Sequence, residues 1–414
     1  MRTRTLAVAT FAAVALLATA CSSGDGAGTP TGGGTGEASA PEPVEITFQE
    51  QFNDAESAQI EKLLPLFNAE HPEITVKLVR DNDTSYYDKL VTQITGGGGP
   101  DIARVEPPKA AQYVASGWAA PLGDVIDQSE YFESTLEGLA VDGELYGVPQ
   151  DVSTLALFYR TDLVPTPPTT WGELKDICTT LTASGKDGIG LFGGWGAYEF
   201  YPWLWQAGAE VLSEDGTTAV FNSPEAAEAL QLWVDLQASC MPDGMATATE
   251  DDLKPRFISG ELAMFTSGAW SIQSLQDAGI EGKWGVAPLP AGKQAASVLG
   301  GMDLIVLQNS KHQEAAKTFI AWLMSDEIQK QWASDLAFIP VKASLYDDPA
   351  FSADANVSQF KQILADSKSR PTVAAAGDVD SALGNAVQAA LAGTATAQEA
   401  LDAAVAQANE ALSK

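Results

Sequence analysis

The chain has 414 residues, of which 45% are hydrophobic and 19% charged, and this is the composition of a globular protein large enough for two lobes. Its 55 acidic and 23 basic residues give a formal net charge of −32. Phosphate backbones and anionic lipid headgroups would repel such a chain, so we expect no nucleic-acid partner.

The first 43 residues are predicted to target and tether the protein. Arg2 and Arg4 precede the apolar run LAVATFAAVALLA, which is too short to span a bilayer and predicts a signal peptide over 1–20. Small residues before Cys21 are typical of a bacterial lipoprotein cleavage site, with ordinary secretory cleavage as the alternative. Residues 21–43 are therefore predicted to be a lipidated cysteine followed by a flexible tether rich in Gly, Ser, Thr and Pro.

Strand and helix patterns alternate from Val44 onward. The predicted strands are VEITFQEQF, ITVKLVR and PDIARVE, and the predicted helices are AESAQIEKLLPLFNAEHP, SYYDKLVTQITGGGG and PKAAQYVASGW. This alternation predicts an α/β fold with a parallel sheet. Ligands of such sheets bind beyond the carboxyl ends of the strands, where this chain has polar residues. These are Glu50, Gln51, Asp81, Asp83 and Glu106.

Later elements follow the same logic. A buried strand is predicted over 154–159, and capping boxes open helices at Thr170 and Thr396. SPEAAEALQLWVDLQASC predicts another helix, GGMDLIVLQNS a buried strand, and HQEAAKTFIAWLMSDEIQKQW one long helix.

Cys178 and Cys240 are the two cysteines that follow the tether. In an exported protein such a pair is expected to form a disulfide, which in the chain-entropy estimate contributes about 4 kcal/mol for a loop of this size. Two separate buried thiols are the alternative. The two histidines, His71 and His312, belong to no pattern with metal-ligand spacing, so we expect neither a metal nor a cofactor.

The segment FGGWGAYEFYPWLW is unusually aromatic. Trp203 and Trp205 are predicted to pack in a core, whereas Trp195 and Tyr198 have small neighbours that leave an aromatic face open. Trp270 likewise follows a glycine and an alanine at the end of an apolar strand. Because sugars present flat apolar faces, these three rings are candidate ligand contacts.

Several stretches, in this order, resemble one known family. They are FNAEHPEITVKL, GGGGPDIARVE, ELYGVP, LALFYRTDLV, PPTTWGEL, FISGELAMFTSGAW, WGVAPLPAG, GGMDLIVLQNSKHQEAAKTFIAWLMSDE and AQEALDAA. From Val44 to Lys414 the chain is similar to the extracellular solute-binding proteins of sugar ABC importers, a group that includes maltodextrin-binding proteins.

The resemblance implies a two-lobed periplasmic-binding-protein-like fold with the ligand in the cleft between the lobes. Each lobe is expected to be a mostly parallel sheet flanked by helices. Lobe 1 is expected over 44–152 plus 303–323, and lobe 2 over 153–302 plus 324–414. The chain is then expected to cross between lobes near 150–154, 303–307 and 321–324.

The resemblance also implies a set of ligand-binding residues. Trp270 and Tyr198 match stacking aromatics, and Glu50 and Glu106 match positions that contact sugar hydroxyls. Asp151 lies at the expected crossing, from which it can reach the cleft. The expected set also includes the polar strand ends Gln51 and Asp83 and the ring of Trp195. The beginning of the strand near residue 300 and Arg370 complete it. The expected ligand-binding residues are Glu50, Gln51, Asp83, Glu106, Asp151, Trp195, Tyr198, Trp270, Gly300, Gly301, Met302, Asp303 and Arg370.

The function implied is a lipid-anchored, monomeric receptor on the extracellular face of the membrane, without catalysis. It would capture a sugar and deliver it to the transmembrane subunits of an ABC permease. Val105 and Glu106 stand where maltodextrin binders often carry a tryptophan, which favours a mono- or short oligosaccharide. The alternatives are a secreted lipoprotein glycoside hydrolase using Glu50 and Glu106, and the same fold binding a non-sugar solute such as a polyamine.

Overall fold

A computed structural model describes residues 42–83, 85–336, 338–353 and 355–414. The predicted signal peptide, Cys21 and the tether up to residue 41 lie outside the described residues. Among the residues described, no helix is both long and apolar enough to cross a membrane.

Short strands and helices follow one another along the described residues. The strands are β1 Val44–Glu50, β2 Ile74–Arg80, β3 Ile102–Val105, β4 Ala140–Val141, β5 Glu144–Leu145, β6 Gly147–Thr154, β7 Ala156–Arg160, β8 Asp187–Gly190, β9 Leu262–Ser267, β10 Trp284–Ala287, β11 Ser297–Val306 and β12 Ser367–Ser369. The helices are α1 Asp54–Glu70, α2 Tyr86–Thr95, α3 Pro107–Ala115, α4 Glu133–Leu136, α5 Trp171–Ala183, α6 Tyr201–Gln206, α7 Pro224–Ser239, α8 Glu250–Ser259, α9 Ile272–Asp277, α10 Gln313–Leu323, α11 Asp326–Leu336, α12 Pro349–Ser352, α13 Ala355–Leu364, α14 Ala376–Leu391 and α15 Ala397–Leu412.

The first sheet has the strand order β12-β11-β3-β1-β2, with β6 also beside β11. β1 is parallel to β2 and β3, as the alternation of strands and helices predicted. β11 runs antiparallel to both β3 and β6 and parallel to β12. The sheet is therefore mixed, because β11 enters it after a long excursion of the chain.

The second sheet has the order β10-β7-β9-β8. Only the β8–β9 pair is parallel, whereas β7 is antiparallel to both β9 and β10. This differs from the mostly parallel sheet expected for each lobe. Several helices separate these strands along the chain, so a strand–helix alternation does not determine their direction.

The chain passes between the two sheets at Leu155, which separates β6 from β7 and is fully buried. Side-chain hydroxyls hold this point. Thr154 Oγ1 donates to Ser297 Oγ at 2.9 Å, and that hydroxyl donates to the Leu155 carbonyl at 2.7 Å. Thr154 Oγ1 also lies 2.6 Å from Ser367 Oγ. The strand predicted over 154–159 is thus divided between two sheets.

The return passage differs from the expectation. The chain leaves the second sheet at the end of β10 and enters the first at Ser297, the start of β11. The predicted crossing near 303–307 lies inside β11, where Asp303 pairs with both neighbouring strands. That crossing was implied by the family resemblance, whereas in the structure β11 already begins at Ser297.

The predicted long helix is two helices, α10 and α11, separated at Met324 and Ser325. The side-chain amide of Gln329 donates to the Leu323 carbonyl at 3.1 Å. Leu323 is the last residue of α10, so its carbonyl lacks the backbone donor that a continuing helix would supply. α11 packs on α1, and Trp332 contacts Phe52 with ring centroids 5.3 Å apart. Residues 326–336 therefore lie beside the first sheet, not with lobe 2 as expected.

The disulfide between Cys178 and Cys240 is present. It joins α5 to the residue after α7, with the two Cα atoms 5.4 Å apart and both side chains buried. The capping box of α15 is also present at Thr396. At Thr170 the hydroxyl caps α5, but Glu173 accepts from Thr169, one residue further back.

Candidate functional site

Two indole rings lie side by side at the surface of the second sheet's layer. Trp195 is 39% exposed, and its ring centroid lies 6.2 Å from that of Trp270, with 51° between the ring planes. Phe192 packs on Trp195 with the two ring planes nearly perpendicular and the ring centroids 5.1 Å apart. The small neighbours in the sequence had predicted this exposure.

The second half of the same segment forms α6. Trp203 and Trp205 are buried, as predicted, and Trp203 contacts Trp171 and Trp233 at centroid distances of 6.0 Å. The segment therefore changes from exposed loop to packed helix within a few residues. Gln388 fixes the loop by donating from Nε2 to the Gly193 carbonyl at 2.8 Å.

Arg370, which follows β12, lies at the centre of a charged cluster. Its Nη1 is 3.0 Å from the carboxylate of Glu106 and 3.6 Å from that of Asp380. The guanidinium carbon also lies 5.0 Å from the centre of the Tyr198 ring. The structure thus brings together three residues that were predicted separately from distant parts of the chain.

Gly300 permits the close approach of Tyr198 to β11. A Cβ on Gly300 would lie 2.4 Å from the Tyr198 hydroxyl oxygen and 2.9 Å from Ser153 Oγ. The two hydroxyls are 3.3 Å apart. A side chain at position 300 would therefore displace the tyrosine from the arginine cluster.

Burial and charge shape the protonation of this cluster. The Arg370 side chain is 3% exposed. Although burial works against its charge, the carboxylates of Glu106 and Asp380 raise the pKa of Arg370 above its usual value. Burial raises the pKa of Asp380, opposed by Arg370. Arg370 therefore stays positively charged, and the carboxyl groups of Glu106 and Asp380 hold its guanidinium in place.

Asp151 belongs to a second, buried network. Its carboxylate lies 2.7 Å from Arg104 Nη2, which is also 2.7 Å from the carboxylate of Glu56. Arg104 Nε donates to Gln150 at 2.8 Å, and the guanidinium lies over the Phe52 ring at 4.7 Å. The other oxygen of Asp151 accepts from the Met302 backbone N–H at 3.1 Å. Asp151 therefore joins β3, α1, β6 and β11.

Other predicted residues surround this network. Glu50 is 1% exposed, and its carboxylate accepts from the backbone N–H of Phe52. Burial raises the pKa of Glu50, and this shift is opposed by that hydrogen bond and by Arg104.

Asp303 is 2% exposed, and its Oδ2 has no hydrogen-bond partner among the described residues. Burial and the charge of Asp151 raise the pKa of Asp303 well above its usual range. Gly301 pairs with Val152 across β6 and β11.

Asp83 lies in a different environment. It is exposed, accepts from the backbone and hydroxyl of Ser85 at 2.8 Å, and lies 3.4 Å from Lys89 Nζ. These hydrogen bonds, those of Ser85 first, lower the pKa of Asp83 to about 2. Gln51 is half-buried directly after β1. Both contribute polar groups at the strand ends without joining the arginine cluster.

Four residues near these groups were not predicted from the sequence: Arg104, Glu199, Glu250 and Asp380. Arg104 offered a signal, because it is a charge inside a four-residue strand whose positions are all buried. Glu250 begins a helix, where acidic residues are common, so its buried position had no distinct signature. In the part of the chain that is described, no group of three or more potential metal ligands is present.

Glu199 is a buried acid behind the exposed loop. It is fully buried, accepts from the Thr266 hydroxyl, and has a pKa raised to about 8 by burial, with Glu250 adding to the shift and Thr266 opposing it. The folded protein thus keeps a proton that the unfolded chain loses above pH about 4.5. Stability should fall as the pH rises from about 4.5 to 8.

We expect Glu199→Gln to remove this contribution. Each pH unit inside the window costs at most about 1.4 kcal/mol, so the loss between pH 6 and pH 7.5 is at most about 2 kcal/mol. Urea unfolding of both proteins at the two pH values measures it. Parallel pH dependences in the two proteins would show that Glu199 is not protonated in the folded state.

Comparison with known proteins identifies the family. Residues 62–359 match the model of the family described as bacterial extracellular solute-binding protein, which is most of the chain. The chain belongs to the bacterial extracellular solute-binding protein family. Members of this family are extracellular binding proteins, and this assigns the chain to the same class and the same side of the membrane.

Two solved structures and one further relative are similar to this chain. The GacH receptor of Streptomyces glaucescens, whose structure is known unliganded and with acarbose, is 27% identical, with a TM-score of 0.83 over 90% of this chain and 100% of that one. Maltose-bound MalE3 of T. maritima is 28% identical, with a TM-score of 0.81 over 89% and 99%. The maltotriose-binding protein of Pyrococcus abyssi is 27% identical over 70% of this chain and 65% of its own length. The predicted two-lobed α/β fold is confirmed.

Proposed function

We propose that this solute-binding protein captures a short oligosaccharide for an ABC importer. The observation that carries the proposal is the pair of adjacent indoles, Trp195 and Trp270. Tyr198, the next aromatic on the loop of Trp195, contacts the charged cluster. Aromatic faces pack on the apolar faces of sugar rings, and charged groups hydrogen bond the hydroxyls. The similar proteins with acarbose, maltose and maltotriose in their names support this ligand class.

The proposed contacts divide the predicted set by role. Six residues are proposed to touch the sugar: Glu106, Trp195, Tyr198, Trp270, Gly300 and Arg370. The others are proposed to shape the strand ends around it: Glu50, Gln51, Asp83, Asp151, Gly301, Met302 and Asp303. Asp151 is placed in the second group because Arg104 and the Met302 N–H already occupy its carboxylate.

The ligand is proposed to be short. Two indoles with 51° between their planes can stack on two successive rings that bend relative to each other. A long dextrin would gain from further exposed aromatics, and Trp195 is the most exposed tryptophan among the described large hydrophobic residues. The remaining affinity then comes from charge-assisted hydrogen bonds.

The proposed setting is a monomeric lipoprotein that is anchored through Cys21 and hands its ligand to the transmembrane subunits of a permease. The cleavage pattern before Cys21 and the family membership support this. We also propose revised lobes, with residues 44–154 and 297–336 in the first and 156–287 and 376–414 in the second, following the sheets and packed helices.

A thermal-shift panel tests the proposed ligand class. The panel contains glucose, maltose, maltotriose, maltohexaose, cellobiose, acarbose and the polyamine putrescine. A ligand at 100 times its Kd stabilises the folded protein by about 2.7 kcal/mol, so binding raises the melting temperature. We expect the largest increase with a di- or trisaccharide. A shift with putrescine alone would replace the sugar by a cationic solute, and tightest binding of maltohexaose would contradict a short ligand.

The protein is proposed to be a binder and not a glycosidase. Hydrolysis requires two carboxyl groups on one glycosidic bond, one of them able to donate a proton. Glu106 is paired with Arg370, and Glu50 is buried against the backbone of Phe52. Incubation with the same sugars, followed by chromatography, should recover them uncleaved.

A further inference from the structure

Glu250 lies at the N–H edge of the Trp270 indole. It is the first residue of α8 and is 1% exposed. The Nε1–H of Trp270 donates to Oε2 of Glu250 at 2.7 Å. This bond crosses between two elements, because Glu250 opens a helix and Trp270 follows the strand β9 twenty residues later. A buried carboxylate is thus placed at the single polar atom of the ring.

Three further polar side chains hold the carboxylate of Glu250 in place. Ser267 Oγ donates to Oε2 at 3.0 Å, Ser271 Oγ donates to Oε1, and Lys254 Nζ lies 2.8 Å from Oε1. Charge-assisted hydrogen bonds of this kind are about twice as strong as neutral ones. A carboxylate held by three further donors cannot turn away from the indole without losing them.

Gly268 restrains the indole of Trp270 at a second point, its six-membered ring. A Cβ on Gly268 would lie 1.9 Å from Cζ3 of Trp270, so the six-membered ring of the indole occupies the space that a side chain at position 268 would need. The close backbone of Gly268 restrains the indole at its six-membered ring, and the hydrogen bond to Glu250 restrains it at Nε1. The indole is therefore held at two points, with 51° between its plane and that of Trp195.

We propose that Glu250 is a positioning residue that sets the orientation of the Trp270 indole for sugar stacking. It acts through the indole N–H and does not touch the ligand. The inference deepens the proposed function and rests on it for the sugar, but the hydrogen bond itself can be tested without any ligand. Positioned rings bind better because the ligand does not have to order them.

The first test needs no sugar. In ¹⁵N-tryptophan-labelled protein, the indole N–H resonance of Trp270 is assigned by its absence from Trp270→Phe. We expect slow hydrogen exchange of this N–H in the wild type and, relative to the other indole N–H groups of the same protein, at least tenfold faster exchange in Glu250→Leu, which has no acceptor. Asp251→Asn, at the exposed neighbouring position, is the matched control and should leave the rate unchanged. An unchanged rate in Glu250→Leu would overturn the positioning role.

The second test is a double-mutant cycle on sugar affinity, measured by calorimetry. Glu250→Leu should weaken binding about tenfold in the wild-type background and less than twofold in Trp270→Phe, because phenylalanine has no N–H to orient. Equal losses in both backgrounds would mean that Glu250 only stabilises the fold, and would overturn the proposal. If the wild type binds no sugar while the exchange result holds, the proposed ligand class fails and the positioning of the ring stands.

Discussion

Trp270→Ala should remove most of the sugar-induced rise in melting temperature while leaving the protein folded. The variant loses one of the two stacking faces, which removes about 2–3 kcal/mol of binding free energy and weakens affinity about 30- to 150-fold. The ring is only half-buried, so its removal leaves the core largely intact. Calorimetric titration with the best sugar of the panel measures the loss.

Trp118→Ala is the matched control for this prediction. Trp118 is also a half-buried tryptophan and packs on Tyr113 with ring centroids 5.4 Å apart, beside the helix α3 and far along the chain from the indole pair. We expect this variant to lose some stability and to bind sugar with wild-type affinity. Unchanged affinity in Trp270→Ala would show that the binding site lies elsewhere.

Arg104→Met should destabilise the protein by about 3–5 kcal/mol. The substitution keeps the length of the side chain but removes the cation that lies 2.7 Å from the carboxylates of both Glu56 and Asp151. Removing one partner of a buried ion pair leaves uncompensated charge in a medium of low polarity, and here two carboxylates are left together. Urea unfolding at pH 7 measures the change.

Arg80→Met provides the comparison for Arg104. Arg80 pairs with Asp54 at 2.9 Å, but the two side chains are 38% and 98% exposed. Exposed ion pairs contribute about 0–1 kcal/mol, so this variant should unfold nearly as the wild type does. Similar losses in the two variants would mean that the burial of the Arg104 network does not determine its contribution.

The local features of the fold could be predicted from the sequence. The β1–α1–β2–α2–β3 order follows from alternating patterns, and the open faces near Trp195 follow from its glycine neighbours. What the sequence did not determine depends on contacts between distant segments. The direction of β7 and β9, and the packing of α11 on α1, are decided by which surfaces meet after long excursions of the chain.

The candidate site shows the same division. Glu106, Tyr198 and Arg370 were each recognisable as polar or aromatic candidates, but their meeting at one point requires the folded chain. Asp151 was expected to face the ligand because of its place near a crossing. It is instead tied to Arg104, because a charge inside a buried strand must be neutralised by some partner.

The crossing at Leu155 has a consequence for motion. Backbone ladders on either side of this residue belong to different sheets. The hydroxyls of Thr154, Ser297 and Ser367 contact one another within the first sheet, and the Ser297 hydroxyl donates to the Leu155 carbonyl. A hydroxyl redirects its hydrogen by rotation about one bond, and it can both donate and accept. We therefore expect the backbone at Leu155 to bend by replacement of the hydrogen bond from Ser297, while the ladders of both sheets stay intact.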